Sequence, residues 1–412
     1  MKIHLKEITP SVYWGGNFAG EFVNAKQFEG VAMDKIIESP ALRKNPLSYG
    51  PYYIKEVIQG EKVIFEANPY FYKGEPKIKR IEMEILPPSQ QVAAIKSGKY
   101  DLVFMASTDI FPEIEKFDNI NIATRKANYM NYIAFKLGKW DAEKNENIVN
   151  PNAKMYDINL RKAIAYAIDN DAIGEQFFHG LASTAKSQLS PSFPSLHNPD
   201  INGYRIDIEK AKKLLDDAGY KDVDGDGIRE GKDGKPIKFT FAMMSGGETA
   251  EPISQYYLQQ WKSIGLNVEL VDGRLLDFNN FYDRVEADDP AIDFCLAGIG
   301  FSSDPQQVSL FGKTAGFNIS RYTSDTLDAA LSATVSPEAM DDQKRIELYK
   351  NYERVFMDEL PVVPQLNKYE FLPVNKRVKM FDWTESRRGF GTEFDWSQLE
   401  LTAPEPIVDS KN

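Results

Sequence analysis

From Phe294 to Phe301 the sequence runs FCLAGIGF, eight residues with no charged side chain and, apart from the Cys295 thiol, no polar one. Successive side chains of a strand point to opposite faces, so an unbroken apolar run of this length needs cover on both. It is far too short to cross a membrane, which takes about 20 residues. A fully buried strand therefore belongs here, and the rest of the chain must supply the layers that cover it.

Those layers are legible on either side. DINLRKAIAYAIDNDAI (157–173) reads as one helix, with Leu160, Ile164, Ala167 and Ile168 in a single apolar stripe. DIEKAKKLLDDAGY (207–220) reads as a second, capped by Asp207 and closed by Gly219, with Ala211, Leu214, Leu215 and Ala218 on its buried face. PIKFTFAMM is a strand, EPISQYYLQQWKSIG a helix leading to the strand LNVELV, and DDQKRIELYKNYERVFMDEL a long amphipathic helix before the extended PVVPQLNKYEFLPVN. Helix alternating with strand predicts an α/β layer. Upstream, residues 45–86 read as a β-meander punctuated by Gly50-Pro51, Gly60 and Asn68-Pro69. A short helix stopped by Gly98 follows, then a buried strand at Leu102–Met105. The opening MKIHLKEITPSVYW reads as a strand already under way, Ile3 and Leu5 alternating with Lys2, His4 and Lys6.

Composition removes several function classes. A chain of 412 residues suggests roughly two to three domains. Its net charge of −12 and lack of a basic patch argue against a nucleic-acid partner. Cys295, inside the apolar run, has no disulfide partner and reads as a buried strand cysteine. His4, His179 and His197 are the only histidines, and none lies in a metal-binding helix pattern; His179 reads as a partner of a helix C-terminus. GIGFSS lacks the third glycine of a dinucleotide loop, and neither a phosphate-binding loop nor a nucleophile elbow occurs. Asp288 and Asp289 keep a carboxylate-based glycosidase open, although neighbouring loop acids are ordinarily just solvated.

DVDGDGIREGKDG (222–234) places Asp222, Asp224 and Asp226 at positions one, three and five of a calcium loop, with Gly227 at six. Position twelve is Asp233 rather than a long glutamate, and Arg229 brings a positive charge towards the shell. The trio is a weak calcium candidate beside the plainer reading of an acidic turn.

Taken in order, seven motifs resemble one family. They are GPYYIKEVIQGEKVIFEANPYFYKGEPKIKRI, AAIKSGKYDLV, LRKAIAYAIDNDAI, EKAKKLLDDAGY, SIGLNVEL, the SDP at 303–305, and RYTSDTLDAAL. Together they are similar to the extracytoplasmic solute-binding proteins of peptide ABC importers, the oligopeptide-binding type, from about residue 1 to 402. The acidic turn at Asp222–Glu230 is part of that resemblance. It implies an α/β, periplasmic-binding-protein-like type II (class C) fold, two α/β lobes around a cleft, with the N-terminal part and an inserted lobe missing, as in a truncated chain. Residues 1–130 and 375–412 would build the first lobe and 131–374 the ligand-facing lobe. The implied function is capture of extended oligopeptides between the lobes for delivery to the importer's permease subunits, by a monomer without cofactor. The implied place is the extracellular face of a Gram-positive membrane, the lipid anchor lying outside this chain, or the periplasm of a Gram-negative cell. The implied peptide contacts are Ala297, Ile299, Phe301, Ser302, Ser303 and Asp304, with Tyr129 and Asn131 at the lobe crossover. Relatives that grip a peptide's ammonium carry an aspartate where this chain has Phe301, which points to longer peptides held by backbone and apolar pockets. The same fold with nickel chelate, sugar or haem as ligand is the rival within the binding class.

Overall fold

The structure, a computed structural model, describes residues 8, 10–14, 24–44, 46–301, 304–379 and 396–410. Residues 1–7, where most of the expected opening strand falls, and the candidate contacts Ser302 and Ser303 lie outside them. Just downstream, Pro10–Tyr13 is a single helical turn rather than extended chain. A proline suits a first turn, where its missing N–H has no partner to lose. The chain divides into two compact units, Met1–Asn17 with Lys126–Tyr369 and Phe18–Arg125 with Glu370–Asn412.

The smaller unit holds the expected meander, β1 (Tyr52–Ile58), β2 (Lys62–Ala67) and β3 (Arg80–Glu84), all antiparallel. A bulge between Ile54 and Glu56 shifts the β1–β2 register. The helix Gln91–Lys96 ends at Ser97, and Gly98 follows at φ +67°. A side chain at Gly98 would begin 2.6 Å from the Ile407 carbonyl oxygen, so chain direction and space both demand glycine. The buried strand expected at Leu102–Met105 does not form. Leu102 makes one bridge to Val374 and Val103 is buried, but Met105 is 95% exposed at φ +51°. The apolar run there is a turn with two inward residues, which short runs cannot distinguish from a strand.

β4 (Ile120–Phe135) starts in the smaller unit and ends in the larger. In the larger unit β5 (Gly138–Asp141) and β6 (Glu146–Val149) form a hairpin. β7 (Ala182–Thr184), β8 (Phe239–Met243), β9 (Val268–Leu270), β10 (Phe294–Gly300) and β11 (Val362–Asn375) join β4 in a six-stranded sheet of order β7-β11-β4-β10-β8-β9. β8 runs parallel to both β9 and β10, while β4 is antiparallel to β10. β12 (Val378–Lys379) and β13 (Glu400–Leu401) pair in the smaller unit, beside a small core of Ala123, Leu372, Val374, Val378 and Leu399.

The apolar run that opened the argument lies between β4 and β8, with Phe294, Cys295 and Ala297 wholly buried. Its cover includes Trp261, whose ring is 5.1 Å from Phe294 and 5.0 Å from Phe241 and whose indole donates to the Ile164 carbonyl at 3.2 Å. Truncating such a residue to alanine costs about 3–5 kcal/mol. The single helix expected over 157–173 is two, Ile158–Tyr166 and Asn170–Phe178. Asp169 accepts the Ala172 N–H at 2.9 Å and starts the second. All four stripe residues, Leu160, Ile164, Ala167 and Ile168, are buried as expected. Buried Arg161 donates to the carbonyls of Glu359 and Leu360, where the helix Asp342–Glu359 ends, matching a cation to the negative end of that helix.

Candidate functional site

β10 outruns one of its neighbours. Its pairing with β4 continues from Phe294 to Gly300, whereas β8 reaches only Phe294, Cys295 and Leu296. Beyond Met243 the β8 chain turns aside, Met244 bridging Leu276 and the Ser245 N–H donating to the Leu276 carbonyl at 2.7 Å. Among the described residues the β8 side of Ala297–Gly300 therefore has no strand partner. Burial changes along the same stretch: Ala297 is buried, Gly298 and Ile299 are half-buried, and Gly300 is exposed. An uncovered length of backbone at the end of an otherwise buried strand is a place for another extended chain to add.

Tyr129 and Asn131 come to this point through the β4 ladder, Tyr129 opposite Gly300 and Asn131 opposite Gly298. The Tyr129 ring leans across Gly298; a β-carbon built there would lie 1.6 Å from the Tyr129 hydroxyl. Glycine inside a strand marks such a close approach, and this is the reason for it here. Burial pushes the Tyr129 phenol up to about 12. The Tyr282 hydroxyl also comes close to the Gly298 backbone. Tyr282 lies on the helix Phe278–Glu286, its ring 4.8 Å from that of exposed Phe278. The strand tip is thus flanked by aromatic side chains, with Ile299 and Phe301 half-buried against the core.

Of the residues expected at the site, the structure brings Ala297, Ile299, Phe301, Tyr129 and Asn131 together at the β10 tip. Asp304 is turned inward. It accepts the Gln306 N–H at 3.3 Å and faces Arg345 at 3.7 Å, whose guanidinium lies 4.7 Å from the Trp14 ring. It works as a turn-maker and internal ion-pair partner. Gly298 and Tyr282 were not anticipated; the glycine in mid-strand was the available signal.

The acidic residues weighed for other chemistry also serve the fold. Burial alone would raise the Asp288 carboxyl, but Lys136 at 2.5 Å, Arg321 at 2.7 Å and the Trp140 N–H at 2.7 Å outweigh it and hold it ionised below the usual range. Lys136 is itself lowered, chiefly by burial and further by the neighbouring Arg321 charge, against the pull of Asp288. Asp289 is also lowered, against burial, by the Ala291 N–H at 2.8 Å and by Arg284 at 2.6 Å. Neither offers the raised carboxyl that a glycosidase acid requires. Cys295 is buried, its thiol pushed up to about 12 by burial. His179 caps its helix at φ +50°.

In the acidic turn, oxygens of Asp222, Asp224 and Asp226 lie within 4.8 Å of one another, all on exposed residues. They already accept backbone N–H groups of their own loop: Asp222 from Gly225 and Gly227, Asp226 from Ile228. Arg229 does not enter the shell as the spacing suggested. It turns away to Asp216 at 2.5 Å and to the carbonyls of Tyr220 and Ile264. The twelfth position, Asp233, pairs with Lys235.

The family described as bacterial extracellular solute-binding proteins, family 5 (middle), matches residues 1–318. The oligopeptide-binding protein OppA of Lactococcus lactis subsp. lactis is 30% identical over 408 residues, covering 98% of this chain and 67% of its own length. The chain thus spans about two thirds of that relative. The solved structure of lactococcal OppA, complexed with an endogenous peptide in the closed conformation, superposes with a TM-score of 0.86 at 28% identity, over 96% of this chain and 73% of that one. The oligopeptide-binding protein AppA of Bacillus subtilis, solved with a nonapeptide, shares the fold at TM-score 0.72 and 22% identity, over 92% and 71%.

Proposed function

Because the chain belongs to the bacterial extracellular solute-binding proteins of family 5, we propose that it is the peptide-capturing subunit of an ABC importer and that an extended peptide adds to the open edge of β10. The supporting observation is the four-residue overhang, Ala297–Gly300, which β4 pairs on one side and β8 leaves free on the other. Backbone pairing is indifferent to side chains, so affinity does not depend on one sequence, and the flanking Tyr129, Tyr282 and Phe278 offer apolar surface to varied residues. The relatives named for oligopeptide binding support the same ligand class. In this reading the larger unit, near 131–374, is the ligand-facing lobe and the smaller unit the other. The chain works as a monomer outside the cytoplasm, handing peptide to the permease subunits.

Native mass spectrometry of the purified chain, before and after adding a mixed peptide library, tests this directly. Retained peptides of several lengths are the expected result. A spectrum that stays empty at micromolar peptide overturns the proposal.

A further inference from the structure

The larger unit also contains a cavity of about 350 Å³, walled by β7, by the loop that follows it and by the end of β11 at Tyr369. A cavity of roughly 150 Å³ already admits a benzene ring, so a whole side chain fits. The loop, residues 185–207, joins β7 to the helix Ile208–Ala218 with a single 3-10 turn at Pro194–Leu196 on the way. Connections longer than about 12–15 residues without regular structure usually serve function or lack fixed structure. This one is pinned in place. Wholly buried Glu353, on the helix Asp342–Glu359, accepts from the Ser187 hydroxyl and the Asn198 N–H and faces His197 Nδ1 at 2.9 Å. The Ala185 N–H donates to the Gln365 carbonyl at 2.9 Å. Gln307, on the chain leaving the β10 tip, donates its amide to the Gln188 carbonyl at 2.8 Å.

The apolar lining comes from Leu189, Pro191, Pro194, Pro199 and Ile201. The prolines offer no backbone N–H and stiffen the loop. The polar neighbours are engaged elsewhere. Both ring nitrogens of His197 face acceptors, and the Thr184 hydroxyl donates to Asp171 at 2.6 Å. Lys368 turns its ammonium to the Phe178 ring, 4.5 Å away, and that ring is not part of the lining. The Asn367 side-chain oxygen is shut off from solvent. Only Ser183 and Lys186 stand exposed among the polar lining residues. A rigid apolar recess with few free donors suits a side chain rather than a backbone or a charge.

Its position relates it to β10. β4 enters the larger unit at Lys126 and β11 leaves it after Tyr369, so the cavity lies at the same end of the sheet as Tyr129 and Gly300. In the strand order β7-β11-β4-β10, a peptide on the far edge of β10 is three strand spacings from β11 and four from β7. That is roughly 14–19 Å, which extended chain covers in about four to six residues. We propose that the cavity is a side-chain subsite for the peptide paired at β10. It takes one bulky aliphatic residue, about four to six positions beyond the last residue paired there. The proposal rests on the peptide reading above and adds a preference to it. Burying one such side chain corresponds to roughly tenfold or more in affinity.

Nonapeptides of alanine and serine carrying one leucine, moved through each position, test it on the full chain by native mass spectrometry. Asparagine in place of leucine is the polar control of similar shape. The wild type is expected to retain the leucine peptide about tenfold over its asparagine partner at one register. Ser183→Trp fills the cavity from an exposed position on β7. It should bring that ratio to about one and leave retention of the asparagine peptide unchanged. Pro194→Asp, on the exposed turn, sets a carboxylate in the wall and should lower the ratio independently should Ser183→Trp fail to fold. Equal retention of leucine and asparagine peptides at every register, or a ratio unchanged in both variants, overturns the subsite and leaves the peptide reading standing. Retention of no peptide at all overturns the peptide reading instead. Calorimetric titration with N-acetylleucinamide then decides the cavity: binding to wild type but not to Ser183→Trp upholds an apolar site, and binding to both or to neither overturns it.

Discussion

The Tyr129 hydroxyl occupies the space where a side chain at Gly298 would begin, 1.6 Å from the position of its β-carbon. No rotation of a methyl group relieves that, since the ring carbon bearing the hydroxyl is itself only 2.3 Å away. Gly298→Ala therefore has to push the Tyr129 ring off the strand tip. Overpacking of this kind costs about 1–3 kcal/mol, or about 2–4 °C in Tm per kcal/mol for a unit of this size. We expect peptide retention to fall at least tenfold, and Tyr129→Ala in the same background to recover the lost Tm but not the retention. Melting curves and native mass spectrometry on the two variants check both parts; a Gly298→Ala protein with unaltered Tm and retention would sink the assignment.

Both ring nitrogens of His197 face acceptors, Nδ1 the Glu353 carboxylate at 2.9 Å and Nε2 the Ser190 carbonyl at 3.0 Å. Only the doubly protonated ring can donate to both. Burial and the nearby Lys186 lower the pKa, but Glu353 and Ser190 prevail and raise it above 6.5. The unfolded chain binds that proton less tightly, so the contribution to stability is complete below about pH 6.5 and fades as pH rises through the folded-state value. The expected outcome is a Tm that declines from pH 6 towards pH 8.5 in the wild type and declines less in His197→Gln. Parallel curves for the two proteins would show that His197 is neutral in the fold.

Much of the architecture was legible because burial on two faces writes itself into composition. FCLAGIGF announces a covered strand, and Asp207 with Gly219 announces the ends of a helix found at Ile208–Ala218. What the sequence hid depends on partners far along the chain. The opening of the β10 edge after Leu296 is set by where β8 stops, a pairing with residues some fifty positions away and without local signature. The break at Asp169 left the apolar stripe in phase, so periodicity could not show it; only the capping propensity of aspartate could.

The acidic turn gives a quantitative expectation for calcium. Its three carboxylates are exposed and already accept from the backbone of their own loop. A site with a dissociation constant of about 1 mM, filled at about 1 mM calcium, stabilises by only about 0.4 kcal/mol. Excess chelator should then shift Tm by less than about 2 °C, and Asp224→Asn should leave the melting curve in place. A fall of 5 °C or more with chelator, reversed by calcium, would make the trio a structural metal site.

Phe301 follows the strand tip, half-buried against the core, at the position where the family resemblance implies an aspartate in binders that grip a peptide's ammonium. A peptide amino terminus brought to this point would find an aromatic edge in place of a counter-charge. Removing an ammonium from water without one is costly, so binding modes that bury the free terminus are disfavoured. Longer peptides that pair through their middle residues and leave the terminus in solvent avoid that penalty. Acetylating the amino terminus of a retained peptide should accordingly change its affinity by no more than about threefold. A loss of tenfold or more on acetylation would mean that the terminus is gripped elsewhere, and would overturn this reading of Phe301. Phe301→Asp provides the complementary test: it should favour short peptides with free termini over their acetylated forms, shifting that ratio by about tenfold while leaving long peptides bound as before.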